Sequence, residues 1–116
     1  MEESILISIK RMLGLQEEYT PFDEEIKIFI NSALFKLMQL GVGPSEGFEV
    51  TGLGETWSDF LGQKEKTLQA AKEFVYFEVR LAWDPPTQSG VISAWNDKLQ
   101  ELTWRLLHQV EAGETN

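Results

Sequence analysis

The chain contains no cysteine, a single histidine (His108), and no apolar run approaching the length of a membrane span. Each lack excludes something. Without cysteine there are no disulfides and no thiolate metal ligands, a composition suited to a reducing cytosol. With one histidine and no cysteine, zinc ligand sets and Ser-His or Cys-His dyads lack their parts. A spanning helix needs roughly 18 or more consecutive apolar residues, so no membrane association is expected. Basic residues are also scarce: 10 Lys and Arg against 19 Asp and Glu leave a net charge of −9. Phosphate binding requires clustered Lys and Arg, so nucleic acid is a poor direct partner. The first residues, Met1-Glu2-Glu3, are acidic where a secretion signal is basic, and no targeting segment is expected.

What remains is a chain of 116 residues, 42% hydrophobic, long enough for one domain with its own core. Helical spacing dominates it. Ile5, Leu6, Ile9, Met12 and Leu13 form a first apolar stripe, with Lys10 and Arg11 near its end, where they complement the helix dipole, and Gly14 as a stop. Thr20-Pro21-Phe22-Asp23 reads as a helix start, with Thr20 capping, Pro21 in the first turn and Asp23 reaching back to the cap. The helix it opens is expected to run to about Leu40, burying Phe22, Ile26, Phe29, Ile30, Ala33, Leu34 and Leu37.

Residues 41–56 hold Gly41, Gly43, Pro44, Gly47, Gly52 and Gly54, which exclude a continuous helix. Phe48–Thr51 alternates like a short extended piece, although no second strand is evident to pair with it. The glycine density predicts a mobile segment that orders on contact with a neighbouring subunit or another partner. A single turn over 56–61 precedes a helix from about Lys64 to Ala82. Its apolar residues lie all round, which implies burial on more than one side. Asp84-Pro85-Pro86 ends it, because neither proline can continue the ladder. The last helix, from about Gln88 to Ala112, spaces Ile92, Trp95, Leu99, Leu102 and Leu106 by threes and fours in a narrow seam. Trp104 and Leu107 fall off that seam in a second stripe. The fold class expected is therefore all-α, a small bundle of four to five helices with a long C-terminal helix and a Gly-rich loop. Residues 1–116 are expected to form one domain.

No catalytic constellation emerges. Gly47 to Gly52 has the outer spacing of a phosphate loop, but Leu53-Gly54 stands where Lys and Ser or Thr must follow. The acidic groups Glu17-Glu18, Asp23-Glu24-Glu25 and Glu101 are explained by favourable dipole interactions and solvation rather than by acid–base work. No catalytic residue, cofactor or metal is assigned. The four tryptophans are more informative. Trp95 belongs to the seam. Trp104 lies on the second stripe, and Trp57 and Trp83 stand at helix–loop junctions, where tryptophan is enriched in protein–protein contacts. Trp104, Leu107, Trp57 and Trp83 are the candidate protein-interaction residues.

Three blocks, Ile30–Val42, Lys72–Pro86 and Glu101–Leu106, resemble the head–tail connector (adaptor) proteins of long-tailed bacteriophages and prophages. The most specific of them is the helix ending in aromatic-Asp-Pro-Pro, here Trp83-Asp84-Pro85-Pro86, with Trp83 where the family leads one to expect phenylalanine. With the N-terminal helix, the similarity covers nearly the whole chain. The resemblance implies a helical, non-enzymatic structural subunit of the virion, made in the host cytoplasm. It would form a ring, a dodecamer, under the portal protein at the head–tail junction. Such a ring extends the DNA channel without binding DNA specifically and docks the head-closure protein and then the tail. It further implies that the C-terminal helix helps grip the portal. A small helical regulatory module of a phage or prophage, binding protein, is the competing reading, and a small enzyme the third.

Overall fold

The computed structural model describes residues 3–62 and 65–111, and within them the chain is helical. Five helices follow in order: α1 (Ile5–Met12), α2 (Asp23–Gln39), α3 (Trp57–Leu61), α4 (Glu65–Trp83) and α5 (Ser89–Glu111). No strand occurs among the described residues, and the all-α expectation holds. The expected starting Lys64 and final Ala112 lie outside the described residues.

α4 is the hub. α2 and α5 both pack along it, and α1 and α3 touch it at its remaining faces. Ala71, Val75 and Val79 are fully buried in α4, and Phe74 nearly so, beside Ile26, Ile30, Ala33, Leu34 and Leu37 of α2. From α5 the seam residues Leu99, Leu102 and Leu106 enter the same core, with Leu106 fully buried. Further along, Trp95 meets the rings of Phe77 and Tyr76 at 5.4 and 6.5 Å between centroids. The Asp-Pro-Pro corner between α4 and α5 is strapped by Arg80. Its Nε donates to the Asp84 carbonyl at 2.6 Å, and its guanidinium lies 5.5 Å from the Trp95 ring. The corner therefore joins the last turn of α4 to the seam of α5 through one side chain.

The start of α2 differs from expectation. The helix begins at Asp23, two residues later than Pro21, and Phe22 supplies no side-chain cap. The reason is electrostatic. The Asp23 carboxylate is taken by Lys10, whose ammonium is almost fully buried, 2.9 Å from Asp23 Oδ1 and 2.9 Å from the Glu17 carbonyl it donates to. Lys10 thus ties α1, the 13–22 connection and the first turn of α2 together. Phe22, left in the turn, is 36% exposed and lies edge-on to Trp83. The reciprocal capping box occurs instead at α3. There Asp59 N–H donates to the Thr56 hydroxyl at 3.1 Å, and Thr56 N–H donates to Asp59 Oδ2 at 3.0 Å.

The glycine-rich connection is fastened at several points. Gly41 and Gly43 both adopt positive φ. A Cβ on Gly43 would sit 2.5 Å from the Phe60 ring, so only glycine fits both the turn and the packing. Phe48–Thr51 has no strand partner; Asn31 of α2 takes that role with its side-chain amide. Its Nδ2 donates to the Val50 carbonyl at 3.0 Å, and its Oδ1 accepts from the Val50 N–H at 2.7 Å. Val50 is thereby buried with its backbone satisfied. Beyond it, the Glu55 carboxylate accepts from the Thr51 hydroxyl at 2.6 Å and from the Gly52 N–H at 3.2 Å. The chain then runs antiparallel to the N-terminus, Ile5 N–H donating to Glu55 O at 3.0 Å and Trp57 N–H to Glu3 O at 3.2 Å.

Two predictions follow from these fastenings. Asp23→Ala, which leaves a buried ammonium unpaired, should lower unfolding stability by about 3 kcal/mol. Glu24→Ala, removing a carboxylate that is 88% exposed in its pair with Lys27, should cost no more than about 1 kcal/mol. Urea unfolding of the two variants makes the comparison. The Thr51 hydroxyl bond, chief among its contacts, holds the Glu55 carboxyl below its usual pKa. A carboxylate depressed on folding stabilises above its unfolded pKa, and that contribution is lost as pH falls through the folded value. Exchange of the Gly52 amide should therefore accelerate in acid, relative to a Glu55→Gln variant that has nothing to protonate.

Candidate protein-docking surface

α5 rests on α4 but is not covered on its outer side, and the periodicity of the seam dictates what it shows there. With Leu99, Leu102 and Leu106 turned inward, Trp104 and Leu107 point away from the α4 contact. Trp104 is 61% exposed and its indole stacks on the His108 ring at 4.5 Å and 22°. Leu107 is 37% exposed. Together they form one wall of an open groove between α2 and α5. Phe74 and Leu99 lie at its base, and Leu40 stands on the α2 side.

The polar lining of this groove is nearly free of uncompensated charge. Lys36 of α2 pairs with Glu78 of α4 at 2.9 Å across it. Gln39, Asn96, Gln100 and Thr103 supply the remaining polar groups, and Thr103 directs its hydroxyl to the Leu99 carbonyl at 2.8 Å. An apolar floor with neutral rims suits a protein side chain or helix better than an ionic ligand. Among the described residues, no group of three or more His, Asp or Glu side chains is placed to hold a metal ion. None of the described helices is long and apolar enough to cross a membrane.

The four candidate residues separate in the structure. Trp104 and Leu107 come together on the groove. Trp83 is half-buried at the opposite end of α4, edge-on to Phe22 at 5.4 Å. Trp57 is an internal residue and is withdrawn as a docking candidate. It is 3% exposed, and its Nε1 donates to the buried Ser8 hydroxyl at 2.8 Å, a partner 49 residues away. Its junction position is real, but α3 turns it inward over α1.

The two most exposed apolar residues of α2 were not among the candidates. Ile28 and Phe35 of α2 are 63% and 59% exposed. They stand seven residues apart, two turns, on the side of the helix opposite its buried stripe. The signal was in the spacing: neither fits the 26-30-33-34-37 face. Leu53, at 59%, forms a third exposed point between Gly52 and Gly54.

The burial of Trp57 has a measurable consequence. Trp57→Ala should cost about 3–5 kcal/mol, as for other buried aromatic truncations. A melting temperature unchanged from the parent would show that Trp57 is free for a partner after all.

A family model described as "Phage connector protein" matches residues 5–113. No curated protein and no solved structure matches the chain.

Proposed function

The chain belongs to the phage connector protein family, and from that premise we propose that it is the head–tail connector (adaptor) subunit of a tailed phage. It is a structural, connector-type protein that acts with other proteins of the phage head and tail. In this reading the subunits, twelve to a ring, assemble beneath the portal in the virion after synthesis in the host cytoplasm. The ring extends the DNA channel and presents a seat for the head-closure protein. The match spanning residues 5–113 carries the reading.

The physical features agree with such a role. A net charge of −9 repels phosphate, so a channel built from these chains lets DNA pass without holding it. The groove on α5 supplies apolar surface for assembly, and a stacked tryptophan at its lip is the kind of residue that dominates association energy.

Leu99 and Trp104 separate folding from assembly. Leu99→Ala, at 8% exposure, should cost about 2–5 kcal/mol of stability. Trp104→Ala should leave the melting temperature near the parent value and weaken assembly by about 2 kcal/mol or more. The assay is thermal melting of both variants beside native mass of the assembled particle and recovery in a portal pull-down. Unfolding of the Trp104 variant to the same degree as the Leu99 variant would place Trp104 in the core and defeat the assignment. Failure of the parent protein to form any particle with portal would defeat the reading itself.

A further inference from the structure

We propose that Gly52-Leu53-Gly54 is a docking tip, on which Leu53 enters an apolar pocket bordered by Lys and Arg on a different protein of the head–tail junction. The proposal rests on the connector reading and adds to it the segment that makes contact and the chemistry of the surface that receives it.

Leu53 is 59% exposed and packs on no part of the core, yet the chain on either side of it is fixed. Before it, Asn31 holds both backbone groups of Val50, and Lys27 donates to the Thr51 carbonyl at 3.0 Å. After it, the Glu55 carbonyl accepts from the Ile5 N–H, which anchors the returning chain to α1. The Glu55 carboxylate closes the turn by taking the Thr51 hydroxyl and the Gly52 N–H. A side chain on a turn fastened at both ends has little further freedom to lose on docking.

The two flanking glycines are not explained by the fold. The earlier loop glycines Gly41, Gly43 and Gly47 have positive φ, which glycine adopts without strain. Gly52 and Gly54 do not have positive φ, and a Cβ on either would meet no atom within 4 Å. Neither conformation nor packing asks for glycine there, although glycine loses more freedom on folding than alanine does. What the missing side chains do provide is bare backbone on both sides of Leu53, against which the walls of a pocket can close.

Charge selects the occupant. From Leu37 to Gln63 the sequence holds four acids, Glu46, Glu49, Glu55 and Asp59, and no Lys, Arg or His. Glu46 and Glu49 are exposed and have no ion pair among the described residues. A leucine set in that field suits a pocket with cations on its border, where opposite charge steers the encounter and fixes the register. A second copy offers no such border among the described residues, because every Lys and Arg side chain described there already stands in an ion pair. Nucleic acid and anionic lipid are repelled. The occupant is therefore a different protein with uncommitted Lys and Arg beside an apolar pocket.

The test uses the full chain with the portal and head-closure proteins of the same phage, each purified. A chain carrying p-benzoylphenylalanine in place of Leu53 is assembled with both and irradiated. The crosslink should fall on one of those two proteins, in a segment with Lys or Arg beside apolar residues. A crosslink to another copy of this chain, to an acidic segment, or to no protein would overturn the proposal. Leu53→Asp and the double variant Gly52→Ala/Gly54→Ala should melt at or above the parent temperature yet bind the crosslinked protein at least about tenfold more weakly. Parental binding should itself weaken as salt is raised. A lowered melting temperature of the double variant would show that the fold requires the glycines, and unchanged binding would show that the tip is idle; either result overturns the proposal. Particles that assemble equally well from the parent and from Leu53→Asp refute the tip and leave the connector reading standing. A parent that binds neither the portal nor the head-closure protein refutes the connector reading and this proposal with it.

Discussion

The arrangement depends on covering α4 from two sides. That helix carries Phe74, Val75, Phe77 and Val79 within six positions, too much apolar surface for a single contact. α2 covers one side and α5 another, and only then are Ala71, Val75 and Val79 withdrawn from water. Burial of each such valine contributes roughly 1.5–3 kcal/mol. The same constraint creates the candidate docking surface. Two helices set against a third leave a cleft between them, and α5, supported chiefly by α4, keeps its outer stripe uncovered. The groove with Trp104 on its lip is a consequence of how the core is closed.

A second set of contacts keeps the non-helical segments from competing with that stack. Lys10 is buried although charged, which is tolerable because Asp23 and the Glu17 carbonyl both meet its ammonium. Removing either partner would leave the other charge buried and uncompensated, so breaking the pair costs more than the intact pair contributes. Asn31 does comparable work on the other connection. A strand would normally satisfy Val50 through a neighbouring backbone; here one side-chain amide supplies both the donor and the acceptor. The glycine-rich segment can therefore cross the surface of α2 without a sheet, and its expected mobility is confined by ties at Val50, Thr51 and Glu55.

Much of this was legible from spacing alone. The seam Ile92-Trp95-Leu99-Leu102-Leu106 identified the inner face of α5, and its three C-terminal members are the buried ones. The all-round apolarity of α4 announced two-sided burial, and Asp84-Pro85-Pro86 ended it within a residue of the expected place. What escaped was non-local. Nothing around Trp57 in the sequence reveals that Ser8 will meet its indole, and nothing around Lys10 reveals Asp23. The capping pattern at Thr20 was misleading because local chemistry favoured a cap while a distant cation claimed the carboxylate. Ile28 and Phe35 are a different case: their spacing sets them off the buried stripe of α2, but spacing alone does not say how far such residues will stay exposed.

The balance of charge and apolar surface bears directly on the proposed assembly. At physiological ionic strength the Debye length is about 8 Å, so acids on the far sides of two docked chains scarcely interact. Repulsion is felt mainly where surfaces meet. A chain of net charge −9 can therefore remain well separated from its copies in dilute solution and still associate through a contact whose own borders are neutral. Lys36–Glu78 places one compensated pair at the border of the groove. Neutral borders do not by themselves attract, and in the proposed assembly the adhesive part would come from burying exposed apolar surface such as Trp104 and Leu107. In the proposed ring, excess acid is left for the surfaces that face solvent or passing DNA, where repulsion is an advantage.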